Sequence, residues 1–289
     1  MARRVLIVVA ALALAGCGGT KTGGPVRVVA AESVYGSIAE QIGGAHVSVT
    51  SLLDDPKADP HLFEPLTKSG LAVAEARLLI ENGAGYDAFM SKLRHATATH
   101  ARVLDIADLL GVHGHDANPH LWYDVTSLDQ IAGAITAMLV RLDNAHAADY
   151  RAGLLSFDAS LAPLEREAAQ IRARFGGVHV AATEPLPGYL LDAAGLVDVA
   201  PTAFTRAIED GTEPSPSAVA TMTQLVQDHR VRVLIYNTQA VSPITKRVRA
   251  AAEHAGVPVV GMSELPPRGA TLQLWLLAEE IALREALTG

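Results

Sequence analysis

Two doubly wound parallel-sheet α/β lobes joined by one long helix are the architecture this sequence predicts, on three observations. Short apolar runs bounded by turn residues alternate with helical periodicities along most of the chain, as in parallel sheets covered on both faces. A stretch of about thirty residues, Ala145 to Phe175, then runs with Gly153 and Pro163 as its only breakers. After it the alternation restarts, and Val178-His179-Val180-Ala181-Ala182-Thr183-Glu184-Pro185 echoes Val28-Val29-Ala30-Ala31-Glu32-Ser33. Each is a buried strand that delivers a glutamate at its carboxyl end, before a helix, the edge where open α/β sheets bind ligands.

In chain order, Val26 to Ala31 reads as a strand, Val34 to Ile42 as a helix, and Val47 to Leu53 as a strand ending in the turn-rich Asp54 to Pro60. Leu66 to Ala76 is a helix, Arg77 to Glu81 a short buried strand, Tyr86 to His95 a helix, Val103 to Ile106 a strand and Leu128 to Leu142 a strongly helical segment. The linking helix carries apolar residues at Leu154, Leu155, Leu161, Leu164, Ala168 and Ile171. It would be about 45 Å long, with Pro163 the place for a kink. The second lobe follows as strand Val178 to Ala182, helix Tyr189 to Ala194, strand Val197 to Ala200 and helix Ser215 to His229. Strand Val231 to Tyr236, helix Ile244 to Ala255, strand Val257 to Gly261 and helix Leu272 to Leu287 complete it. The expected boundaries are 26–143 for the first lobe, 144–175 for the linking helix and 176–289 for the second lobe.

The N-terminus reads as an export signal. Arg3 and Arg4 precede an apolar run from Val5 to Ala15, about eleven residues where a bilayer core needs about twenty. Residues 1–16 are therefore expected to be a signal peptide. Leu14-Ala15-Gly16-Cys17 resembles the bacterial lipobox, in which the cysteine is lipidated, and residues 17–25 read as a Gly-rich tether. This predicts an extracytoplasmic protein, lipid-anchored to the cell membrane. Cys17 is the single cysteine, which excludes disulfides, zinc fingers and thiol catalysis. A net charge of -8 without basic clusters argues against nucleic acid or anionic lipid as partner.

The candidate chemistry lies in Asp59-Pro60-His61, followed by Glu64-Pro65, and in Asn118-Pro119-His120, followed by Leu121-Trp122. A proline before each histidine fixes φ and holds the preceding residue extended, so each imidazole sits on a stiff loop. Metal sites require donors held in place before the ion arrives. A solvated loop histidine explains either tripeptide alone. Two in one lobe make a shared ligand role an equal reading. His46, His95, His100, His146, His179, His229 and His254 read as solvated or packed.

The two motifs, in this order and behind a lipobox, resemble the paired metal-histidine motifs of the zinc and manganese substrate-binding lipoproteins of ABC importers. The resemblance implies a monomeric bilobal receptor with a metal buried in the interlobe cleft, delivered to an ABC permease and its ATPase, with no reaction catalysed. It implies His61 and His120 as first-lobe ligands and Glu184 as a second-lobe ligand. Glu264 is the fourth, although Ser263 is the alternative occupant of that place. Asn237, at the end of its strand, is expected to orient a ligand or bind water. Two imidazoles and two carboxylates balance a divalent ion, and nitrogen with oxygen donors suits Zn2+ or Mn2+ alike. Glu184 points to manganese, while the stub His113-Gly114-His115-Asp116 points to zinc, which is placed first. The rival readings are an adhesion lipoprotein of the same fold and a metal-dependent hydrolase, for which His-Glu-x-x-His is missing.

Overall fold

The structure is a computed structural model that describes residues 24–57, 59–114 and 116–289. The signal peptide, Cys17, most of the tether and His115 lie outside the described residues. The first sheet contains β1 (Val26–Glu32), β2 (Val47–Leu53), β3 (Leu78–Glu81) and β4 (Arg102–Asp105), all parallel, in the order β2-β1-β3-β4. Its helices are α1 (Ser33–Gly43), α2 (Thr67–Glu75), α3 (Ala88–Thr97), α4 (Ile106–Leu110) and α5 (Leu128–Leu142). The 29-residue α6 (Ala147–Phe175) leads to the second sheet. That sheet has β5 (His179–Ala182), β6 (Val197–Asp198), β7 (Leu234–Asn237) and β8 (Val259–Met262), again all parallel, in the order β6-β5-β7-β8. Around it lie α7 (Gly188–Ala193), α8 (Thr202–Glu209), α9 (Pro216–Gln227), α10 (Pro243–Ala255) and α11 (Leu272–Thr288). Two sheets of identical order are the two doubly wound lobes that the alternation predicts.

The strand period explains why both faces are covered. In β1, Val26, Val28 and Ala30 enter one core while Val29 and Ala31 enter another with Val73 and Met90. In the second sheet Ala181 and Leu234 pack with Phe204, Met222 and Val248, whereas Val180, Ala182, Ile235 and Met262 face the other way. These inward faces of the two sheets share one continuous core, together with residues of α1, α5, α6 and α11. The lobes are therefore not separate globules touching at a cleft.

Pro163 lies within α6 without ending it. Gly153 has a packing reason: a Cβ there would sit 2.4 Å from the carbonyl oxygen of Ile42, so only glycine lets α6 lie this close to α1. Two helices add to those that periodicity predicts. α4 extends the segment read as the end of a strand, capped where the Asp105 side chain accepts from the Asp108 amide at 2.9 Å. α8 is two turns long, with Phe204 and Ile208 on its buried side. Of the histidines read as solvated or packed, His46 and His146 stack with centroids 3.8 Å apart and contact Asp149 at 3.0 Å and Asp143 at 2.6 Å.

Glu280 on α11 is fully buried, neither carboxylate oxygen has a hydrogen-bond partner, and burial with the nearby charge of Glu167 pushes its pKa up to about 8. A folded-state pKa above the unfolded value near 4.3 gives stability that is complete below that value and is lost as pH rises through about 8. Glu280→Gln is expected to match the parent protein in thermal unfolding at pH 5 and to exceed it by several degrees at pH 8, followed by circular dichroism on metal-free protein.

Candidate metal centre

His61 lies in the single 3-10 turn Pro60–Leu62, and the Asp59 carboxylate ahead of it accepts from the His61 amide at 3.0 Å. His120 is fully buried and enters the similar turn Leu121–Tyr123. Asn118 fixes its ring. Nδ2 of Asn118 donates to the Pro185 carbonyl at 2.8 Å, so Oδ1 is the acceptor for the His120 amide at 3.1 Å and for Nδ1 at 2.8 Å. Nδ1 thus carries a proton, and Nε2 is the nitrogen turned to the centre. Asn82, whose Nδ2 donates to the Pro119 carbonyl at 2.8 Å, braces the same loop.

The second lobe supplies its donors from strand ends. Asn237 is the last residue of β7, and Glu184 and Glu264 follow β5 and β8 by two residues. β5 and β7 are neighbours at the place where the strand order reverses, the usual ligand position in a doubly wound sheet. Nδ2 of Asn237 donates to Oε2 of Glu184 and, at 2.8 Å, to Oε1 of Glu264. Gln239 Oε1 accepts from the amides of Glu264 at 2.5 Å and Leu265 at 3.0 Å, which fixes the loop. The Ser263 hydroxyl instead donates to Glu279 at 3.1 Å and accepts from Trp275 at 3.1 Å, so of the two alternatives it is Glu264 that faces the centre.

Single donor atoms of His61, Glu184 and Glu264 all lie within 4.8 Å of one another. Nε2 of His61 is 3.4 Å from Oε1 of Glu264, and Nε2 of His120 is 3.7 Å from Oε2. Two donors on one ion at about 2.1 Å stand about 3.0–3.4 Å apart, so these separations need only small movements to close on a cation. Nε2 of both histidines and Oε1 of Glu184 are buried without a hydrogen-bond partner, a state costly unless a cation or proton compensates it.

Protons do so here. Burial opposes charging His61, but contact with Glu264 and the charges of Glu209 and Glu184 outweigh it, and its pKa rises to about 9. His120 is raised in the same way, with Glu209 and Glu264 overcoming burial. Burial pushes Glu264 up, yet the two imidazoles hold it well below the ordinary carboxylate range. Burial and the charge of Glu264 push Glu184 up to about 8.

Two residues at the centre have no counterpart among the sequence candidates. Tyr86 donates to Oε2 of Glu264 at 2.6 Å and stands edge-on to His61, His120 and Trp122. It precedes α3, delivered by Gly83, Ala84 and Gly85, all with positive φ. A Cβ on Gly83 would lie 2.4 Å from Asp105 Oδ1, so the Asn82-Gly83-Ala84-Gly85 run was the available signal. Glu209, the last residue of α8, places Oε2 3.8 Å from Nε2 of His120. His113 is exposed and stands 3.8 Å from Asp108. Glu32, the first-lobe echo of Glu184, is buried beside Asp87 and Glu81 with its pKa raised by burial, and neither of its carboxylate oxygens has a hydrogen-bond partner.

The family model for zinc-uptake complex component A, periplasmic, matches residues 28–283. The chain belongs to this family. The manganese-binding lipoprotein MntA of Halalkalibacterium halodurans is 30% identical over 169 residues, 55% of this chain and 56% of that protein. The chain's match thus spans little more than half of that relative. The manganese ABC transporter substrate-binding lipoprotein scaA of Streptococcus gordonii is 23% identical over 250 residues, 78% of each chain. Among solved structures, ZnuA superposes with a TM-score of 0.76 at 24% identity, covering 91% of this chain and 99% of that one. FpvC of Pseudomonas aeruginosa with Mn2+ gives 0.78 at 19% identity, covering 91% and 98%. These superpositions establish the family fold.

Asn118→Ala removes the acceptor that fixes His120. It is expected to weaken divalent-cation binding about 10–100-fold, the usual effect of losing a ligand's outer partner, in competition titrations with a chromogenic chelator. Tyr189→Phe, which removes only the 2.8 Å bond from Tyr189 to the Asn118 carbonyl, should stay within threefold, roughly, of the parent.

Proposed function

We propose that this protein captures a divalent transition metal, zinc or manganese, outside the cytoplasm and delivers it to an ABC permease. The observation that carries the reading is the convergence of His61, His120 and Glu184 on Glu264, with unpartnered donor atoms, in a buried place between the lobes. Family membership and relatives named as manganese-binding lipoproteins of ABC transporters support it. Binding and release suffice for such a role, so the protein is read as a carrier and not an enzyme. The sequence argument for zinc rested on the stub at His113 to Asp116, of which His113 is exposed and stands 3.8 Å from Asp108. Cys17 would tether the receptor within reach of its permease, the tether setting the local concentration.

Release in this reading comes from loops and not from hinge closure. The lobes share one core, and Asn118 to Pro185, Tyr189 to Asn118, Tyr123 to Ser263 and Tyr86 to Glu264 bond across them. Solution scattering with and without metal is expected to show an unchanged radius of gyration; a large compaction would contradict a core that holds the lobes together.

Metal analysis of the purified mature chain is expected to find one ion per chain. His61→Ala and His120→Ala should each weaken zinc and manganese binding by about a hundredfold or more; no bound metal, and no loss on substitution, would sink the reading. Because His61 and Glu184 hold protons up to about 9 and about 8, the ion must displace them. Affinity should therefore fall on acidification below pH 8, by up to about two decades per pH unit when two protons leave, and calorimetry in buffers of different ionisation enthalpy should count them.

A further inference from the structure

Glu209 approaches the same nitrogen of His120, Nε2, that Glu264 does. Its side chain is 10% exposed, Oε2 is buried with no hydrogen-bond partner, and that atom is 3.8 Å from the equally unpartnered Nε2 of His120. Phe204 and Ile208 bury one side of α8. Arg206, one turn before Glu209, donates to the carbonyls of Asp116 and Ala117 just ahead of Asn118-Pro119-His120. The helix is thus gripped against the very loop that carries His120. A carboxylate in the last turn of a helix faces the negative end of the helix dipole, and this one lies near two further buried carboxylates. Among the described residues, Glu209 Oε2 has no hydrogen-bond partner, and its ion-pair contact is the His120 imidazole edge.

We propose that Glu209 is a fifth donor at the metal centre, approaching from the His120 side, so that the centre offers two imidazoles and three carboxylates. This rests on the metal-carrier reading above and names the class of ion within it. Four donors of mixed nitrogen and oxygen satisfy tetrahedral zinc. A third carboxylate adds coordination and oxygen character, which suit manganese and are surplus for zinc. The 3.8 Å separation is within about 1 Å of that between neighbouring donors on one ion with bonds of about 2.1 Å, so a rotamer adjustment at the end of α8 is enough.

The test compares Glu209→Gln with the parent and with His61→Ala, each checked for folding by circular dichroism, in titrations with Mn2+ and Zn2+. Co2+ absorption provides a readout of coordination number that a merely structural role would not move. Glu209→Gln is expected to weaken Mn2+ binding at least tenfold, to change Zn2+ binding less than threefold, and to intensify the Co2+ visible bands as five donors become four. Unchanged affinities with an unchanged Co2+ spectrum would overturn the proposal, as would equal loss of both ions with that spectrum unaltered. If His61→Ala also binds both ions like the parent, the carrier reading itself fails; if only Glu209→Gln is silent, the carrier reading stands and the fifth donor does not.

Discussion

One amide nitrogen, Nδ2 of Asn237, holds two buried carboxylates that repel each other. Bringing Glu184 and Glu264 together out of water is unfavourable by itself, because desolvation and like charge act in the same direction. The fold meets this with donors placed at fixed points. Asn237 sits at the end of β7 between the two, Tyr86 reaches across from the first lobe, and Gln239 pins the loop that carries Glu264. The remaining imbalance is taken up by protons on the histidines and on Glu184.

The first lobe contributes rigidity of another kind. Each metal-motif proline stiffens its loop, and the residue before it caps that loop through its side chain, Asp59 for His61 and Asn118 for His120. Asn118 does more, since the same amide that sets the imidazole tautomer also bonds to the second lobe at Pro185. Ligand orientation and lobe apposition are thereby coupled through one side chain. Behind the centre, Tyr123 bonds to the Ser263 carbonyl and to Glu279, which also accepts from Trp275. The loop bearing Glu264 is therefore held from below as well as from the side.

Much of this was legible in the sequence because the signals are local. β2 and α5 coincide with the segments Val47 to Leu53 and Leu128 to Leu142, where alternation and helical period are strong. The strands β3, β7 and β8 begin one to three residues later than the apolar runs suggest, because apolar composition persists into the turn before a buried strand. The histidines of the two proline motifs were visible as motifs. Glu209 and Tyr86 were not, since a short helix with three buried residues and a turn of positive φ acquire meaning only through what lies across the lobe boundary. The choice between Ser263 and Glu264 is of the same kind: adjacent side chains point apart, and only the packing of Trp275 and Glu279 against Ser263 decides which one turns inward.

The shared core is closed by the last helix. Gln273 on α11 donates to Gln41 on α1 across 232 residues of chain, and to Ser160 on α6 across 113. The last helix therefore completes a core begun by the first. Closing so long a loop adds an entropic barrier that local helix and strand formation cannot offset in advance. The first sheet can form its outer face early, but its inner face keeps exposed apolar surface until the C-terminal residues arrive. Removing α11 would therefore strip contacts from α1, α6 and the faces of both sheets at once, so the two lobes depend on one C-terminal segment.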